Sequence, residues 1–152
     1  MAAAFRLLAA RARSEGELRE RLEMRVQATP ELVESCIARL KELELIDDAR
    51  FAESYARTRL NAKPSGRNRL ARELATKKVS SSTIDSALNA VFEAENESDL
   101  IDLAIQRRLR VNGPPRDRAA AKRLFDFLAR RGFDFDLIRS KLSALTRTRG
   151  EE

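Results

Sequence analysis

Residues 70–91 read LARELATKKVSSSTIDSALNAV, and residues 124–145 read LFDFLARRGFDFDLIRSKLSAL. Few letters coincide, but the apolar spacing is the same. Leu70, Leu74, Val79, Ile84, Leu88 and Val91 step exactly as far apart as Leu124, Leu128, Phe133, Ile138, Leu142 and Leu145. A looser copy opens the chain with Leu18, Leu22 and Val26, then Leu32, Cys36 and Leu40, one extra residue preceding Leu32. Similarity at a fixed period marks one supersecondary unit used several times. Such a unit seldom buries its apolar face alone, so the copies are expected to stack into an elongated body with a long surface.

Composition narrows the chemistry. The 152 residues are 43% hydrophobic and 36% charged, which suits a helical protein with narrow apolar stripes. No apolar run approaches the ~18–20 residues of a membrane span. Arg6, Arg11 and Arg13 interrupt the opening segment, so no secretory signal is expected there. A single cysteine, Cys36, allows no internal disulfide and fits a cytoplasmic location. With no histidine, the commonest general base and the usual zinc ligand are missing, and the scattered glycines form no phosphate-cradling loop. The reading is a binding protein and not an enzyme, with no metal and no cofactor.

Helix signals fill the chain. Ser14-Glu15-Gly16-Glu17 is a capping box, and Thr29-Pro30 places an N-cap before a first-turn proline. Asp47 or Asp48 caps the next helix, Ser81 or Ser82 a later one, and Asp134 the last, just after Gly132 at a C′ position. Pro64-Ser65-Gly66 and Asn112-Gly113-Pro114-Pro115 are breaks. The pattern predicts helices near 4–12, 15–24, 30–44, 48–61, 66–77, 82–92, 97–111, 117–131 and 135–146, with no period-two alternation. The expected fold is all-α: three tandem three-helix repeats at 1–46, 47–93 and 94–148, in a curved right- or left-handed stack without β-sheet. A frayed end is expected from Arg147, with a disordered tail at 149–152.

Charge is unevenly distributed. From Arg57 to Lys78, eight basic residues face Glu73 alone. From Val79 to Asp102 there are six acids and no base, and from Leu103 to Arg131 nine bases face Asp117 and Asp126. The basic stretches cover the first two helices of units two and three, and stacking in register would join them into one stripe. Local pairs among Arg69, Arg72 and Glu73 offset only part of such a field. A polyanion or an acidic protein groove is the natural counterpart. The aromatics, Phe5, Phe51, Tyr55, Phe92, Phe125, Phe127, Phe133 and Phe135, read mostly as core, with Phe127 the one candidate for exposure within a basic stretch. Base-stacking platforms therefore are not indicated.

The segment Leu43-Glu44-Leu45-Ile46-Asp47-Asp48-Ala49-Arg50-Phe51-Ala52 reads as a helix junction. Ile46 closes the preceding core, an aspartate caps the new helix, Arg50 lies near an acid, and Phe51 and Ala52 turn inward.

Ile46-Asp47-Asp48 followed by Arg50-Phe51-Ala52 resembles the signature of the bacterial regulatory RecX family. So do Gly66-Arg67 with Arg69-Leu70 and Glu73-Leu74, and Leu124, Leu128 and Arg130-Arg131-Gly132-Phe133. Ser14, Glu17, Leu18 and Leu22 match the family's opening, and order and spacing agree from about Phe5 to Leu145. Where the family often has Lys-Gly after the second helix of a unit, this chain has Lys77-Lys78 and Met24-Arg25, so those helices are expected to end without a left-handed glycine and less sharply. No N-terminal extension is expected.

The resemblance implies three three-helix repeats and a monomer that binds the RecA recombinase filament on single-stranded DNA. It implies restraint of ATP hydrolysis, strand exchange or coprotease activity, and it carries no catalytic residue. Candidate contacts are Arg57, Arg59, Lys63, Arg67, Arg69 and Arg72 in unit two. In unit three they are Arg107, Arg108, Arg110, Lys122, Arg123, Arg130 and Arg131. Their role would be charge complementarity to acidic RecA surface and to the single-stranded DNA backbone. Asp47, Asp48, Arg50 and Phe51 are read as structural. A direct DNA-binding helical module and a scaffold for another acidic protein are the alternative classes.

Overall fold

The computed structural model describes residues 1–150, and the side chains of residues 1–148. Its elements are α1 (Ala2–Ala10), α2 (Glu15–Glu23), α3 (Pro30–Glu42), α4 (Asp48–Ala62), α5 (Arg67–Thr76), α6 (Ser81–Ala94), α7 (Glu97–Asn112), α8 (Arg118–Arg130) and α9 (Phe135–Gly150). No strand occurs among the described residues. Helix α9 runs past Arg147, where fraying is expected, to Gly150; Glu151 and Glu152 of the expected tail lie outside the described residues.

Each unit is three helices around an apolar seam, and the caps explain most boundaries. Ser14 makes the full capping box, accepting from the Glu17 amide. Thr29 accepts from Leu32 N at 3.3 Å, and Asp134 accepts from the amides of Asp136 and Leu137. Asp47, not Asp48, caps α4 through the Arg50 amide. The cap of α6 is Ser80, one residue before the expected serines, because its hydroxyl accepts from Thr83 N.

The apolar template of units two and three holds. Leu70, Leu74, Val79, Ile84, Leu88, Val91, Leu124, Leu128, Phe133 and Ile138 are buried in one continuous core, with Leu142 and Leu145 packed against it. Unit one has its own core, and its register differs from the expected one. The buried face of α3 is Val33, Ile37 and Leu40, while Leu32 is exposed and Cys36 only half-buried. Val33, Ile37 and Leu40 repeat the steps of Ile84, Leu88 and Val91, so the buried copy lies one residue later than the expected one at two positions. Val26 is fully exposed, whereas Val79 and Phe133 at the ends of the other second helices are buried. The aromatics are also less internal than expected. Only Phe133 is fully buried; Phe5 and Phe135 are exposed, and the others lie partly covered at the core's margin.

The units join by one repeated geometry. The N-terminus of each second helix sits on the C-terminal end of the second helix in the next unit. The first helical N–H of α2, from Glu15, donates to Asp48 Oδ1 at 2.8 Å, and that of α5, from Arg67, donates to Glu97 Oε1 at 3.1 Å. Asp48 and Glu97 each open the first helix of the following unit. At the other end of the seat, the Ser14 hydroxyl donates to the Lys77 carbonyl. The Gly66 amide donates to the Arg131 carbonyl at 2.8 Å, and the Asn68 amide to the Gly132 carbonyl at 3.2 Å. Positive helix ends thus meet negative ones, and orphan donors satisfy orphan acceptors.

Both seats require a left-handed residue after the C-cap. Gly132 supplies it between units two and three at φ 89°, and Lys78 supplies it between units one and two at φ 61°. Helix α5 therefore ends with the same turn that glycine would make, contrary to the expected looser ending. In unit one, Arg25 after the C-cap of α2 has no such φ. The second seat is the tighter one: a Cβ on Gly66 would lie 2.3 Å from the Gly132 carbonyl atoms, and one on Gly132 would lie 2.3 Å from Arg69 N.

Candidate basic interface

The two basic stretches fold very differently. In unit two, six of the eight bases have a carboxylate within 4.0 Å: Arg57, Arg59, Arg67, Arg69, Lys77 and Lys78. Lys63 and Arg72 are exposed and have no ion pair among the described residues. The strongest pairing centres on Glu73. Arg59 donates through Nε and Nη2 to both carboxylate oxygens, at 3.0 and 2.9 Å; Arg69 Nε adds a bond of 3.1 Å and the Tyr55 hydroxyl one of 2.9 Å. Burial opposes the charge on Glu73, but the hydrogen bonds from Arg59, Arg69 and Tyr55 outweigh it and hold its pKa at about 2. Arg59 and Lys77 also lie over the Tyr55 ring, at 5.9 and 5.7 Å.

Unit three has no such sink. Lys122 pairs with Asp126 at 2.8 Å, while Arg107, Arg110, Arg123 and Arg130 are exposed without an ion pair among the described residues. Arg116 and Arg118, which the sequence reading did not single out, are exposed in the same way. Arg131 is a different case. It is half-buried and reaches back to unit two, donating to the Pro64 carbonyl at 3.1 and 2.6 Å and to Ser65 Oγ at 3.1 Å. Burial, with Arg69 and Arg59 nearby, lowers its pKa. Its geometry is that of a staple between units, and the repeat position that it shares with Lys77 has the same backward reach, Lys77 meeting Glu17 of unit one at 3.8 Å.

Phe127 is not an exposed platform. It is partly buried against the core, and the Arg108 guanidinium covers its ring at 4.8 Å. With the Asn112 amide oxygen turned toward it, Arg108 also donates Nε and Nη1 bonds of 2.9 and 3.2 Å. Arg108 and Arg123 line a cleft of about 300 Å³ between the end of α7 and the start of α8. Among the described residues no acidic side chain lines that cleft, whereas clefts of 510 and 640 Å³ around the unit one–unit two boundary both include Glu44 and Asp47.

The junction residues are structural where the structure places them. Ile46 closes the core of unit one, Ala52 is buried, and Phe51 packs at the margin, stacked on Tyr55 at 6.2 Å. Arg50 is exposed and forms no ion pair among the described residues, unlike the pairing expected of it. Among those residues there is also no group of acidic or cysteine side chains able to hold a metal, and no helix long and apolar enough to cross a membrane.

Two family profiles match this architecture: RecX, second three-helix domain, over residues 47–88, and RecX, third three-helix domain, over residues 95–142. A "Regulatory protein RecX" of Chlorobium phaeobacteroides is 34% identical over 145 residues, spanning 95% of this chain and 92% of that one. Another, of Mycolicibacterium vanbaalenii, is 36% identical over 149 residues, spanning 91% and 80%. The crystal structure of RecX from Lactobacillus salivarius superposes with a TM-score of 0.79 at 23% identity, covering 95% of this chain and 92% of that one. A second crystal structure, of regulatory protein RecX, gives 0.71 at 29% identity, covering 90% and 68%.

Proposed function

The chain belongs to the RecX family, and from that premise we propose that it is a non-enzymatic cytoplasmic regulator that binds the RecA filament on single-stranded DNA and inhibits it by occupancy. The observation that carries the reading is the unneutralised basic surface of unit three, joined to a rigidly seated unit two. Several arginines on α7 and α8 of one unit face outward without an ion pair among the described residues, and that field suits a partner surface of acidic side chains and phosphates. Unit two contributes Lys63 and Arg72, while Arg59, Arg69 and Arg131 act within the fold.

The repeats at 1–46, 47–93 and 94–148 work as one body in this reading. The protein acts as a monomer in this reading. After the C-cap of α2, Arg25 lacks the left-handed φ of Lys78 and Gly132, and in the register of Ser14 and Gly66 unit three has Ala120, inside α8, so neither offers a second copy the seat seen between units.

The test is a titration into RecA on single-stranded DNA, following ATP hydrolysis, beside a binding measurement on bare DNA. Inhibition at protein levels well below those that coat the DNA is expected. Tight binding to bare DNA without an effect on hydrolysis would replace this reading with a DNA-binding module.

A further inference from the structure

The repeat register sets two arginine pairs in equivalent places. The spacing that aligns Leu70 with Leu124 also aligns Arg69 with Arg123 and Glu73 with Phe127. Aligning the buried faces of α4 and α7, Ala52 with Ile101 and Ala56 with Ile105, brings Arg59 onto Arg108. Unit two is therefore a filled version of a site that unit three leaves open. In unit two the two arginines converge on one carboxylate. In unit three the residue at the carboxylate's position is a phenylalanine, which offers a ring face and no acceptor oxygen.

We propose that the cleft between Arg108 and Arg123 binds a carboxylate supplied by an acidic segment of a partner protein, standing in for the one that Glu73 supplies within unit two. Arg108 is held in place beforehand by Phe127 and Asn112, which lowers the entropy lost on binding. Arg123 on the opposite wall is exposed and has no ion pair among the described residues. The nearest acids in sequence are engaged: Asp117 caps α8 through Ala120 N at 2.7 Å, and Asp126 holds Lys122. The wall at Gly113 is open, with nothing within 4 Å of an added Cβ. A carboxylate is favoured over a phosphate because the anion in the equivalent site is a carboxylate, gripped by the planar fork of Arg59. The proposal rests on the regulatory reading only for the existence of a protein partner.

The test uses the full chain and a blocked hexaglutamate peptide at low salt, with the arginine Nε–Hε resonances as readout. The peptide is expected to shift the signals of Arg108 and Arg123. Phe127→Glu rebuilds the internal carboxylate and is expected to weaken peptide binding about tenfold, the scale of a charge-assisted contact. Arg123→Gln, at an exposed position that leaves the core intact, is expected to do the same. Arg50→Gln, at an exposed arginine outside both basic stretches with no ion pair among the described residues, should leave binding within about twofold of the original. Circular dichroism checks that each variant keeps its helicity.

Unchanged binding in both Phe127→Glu and Arg123→Gln overturns the proposal, as does absence of any peptide-induced shift. An oligothymidylate of equal charge that takes the same two resonances more tightly than the peptide also overturns it, in favour of nucleic-acid phosphate. Loss of peptide binding in both variants, in a protein that leaves RecA hydrolysis untouched, supports the site and overturns the regulatory reading instead.

Discussion

Units two and three share one apolar template, and their basic stretches differ little in composition, yet one turns its charge inward and the other leaves it outside. The difference comes from single positions. Glu73 gathers Arg59 and Arg69, while Phe127, in the same register, gathers Arg108 by its ring face and leaves Arg123 alone. Lys78 and Gly132 fill the same left-handed position, one against its steric preference and one with it. A repeat fixes where side chains stand. What they do depends on which copy has kept the counterion.

The seats between units give the largest expected effect. Gly132→Ala adds a Cβ at a positive φ and 2.3 Å from backbone, which should cost about 3 kcal/mol from left-handed strain plus overpacking. Urea unfolding would show it as a fall in the midpoint. An effect of a few tenths would mean that the second seat is as compliant as the first. Arg131→Ala should cost about 2 kcal/mol, because it leaves the buried Pro64 carbonyl without its donors. The equivalent Lys77→Ala should cost under about 0.5 kcal/mol in the same experiment, since its Glu17 contact is 3.8 Å long. Equal losses would erase the distinction between the two seats.

Glu73→Gln tests the inward-turned charge and should cost about 1–2 kcal/mol at neutral pH. The folded pKa of Glu73 lies below its ordinary 4.5, at about 2. Its contribution is therefore complete above about pH 5 and disappears as pH falls toward 2. In the Gln variant that part of the acid sensitivity should be gone, as thermal unfolding across this window would record. Lys78→Gly has the opposite sign. Relief of the left-handed strain, less the entropy of a glycine in the unfolded chain, should raise stability by about 1 kcal/mol. A loss in thermal unfolding would mean that the Lys78–Glu20 pair at 3.5 Å matters more than the backbone.

Helices and caps were legible because their causes are local: a capping side chain acts within three residues, and an apolar stripe repeats within a turn. The register of α3 is not legible locally because Leu32, Val33, Cys36 and Ile37 offer two adjacent apolar faces, and only packing against Leu18 and Leu22 selects Val33 and Ile37. The seats could not be read from local signals. Pro64-Ser65-Gly66 is the expected break between α4 and α5, but its burial follows from Arg131 and Gly132, distant in sequence, which close over it. Both basic stretches show in the sequence, but an arginine paired across helices, such as Arg59 with Glu73, looks there the same as one with no ion pair among the described residues, such as Arg123.

The most direct test of outward charge in unit three is RecA ATP hydrolysis on single-stranded DNA, titrated with two charge-reversed proteins. One carries Arg107→Glu, Arg110→Glu and Arg123→Glu, and the other carries Arg57→Glu, Lys63→Glu and Arg72→Glu. The unit-three protein should need about tenfold more to reach half inhibition, with the unit-two protein affected clearly less. Equal loss in the two, or a greater loss from unit two, would contradict the account.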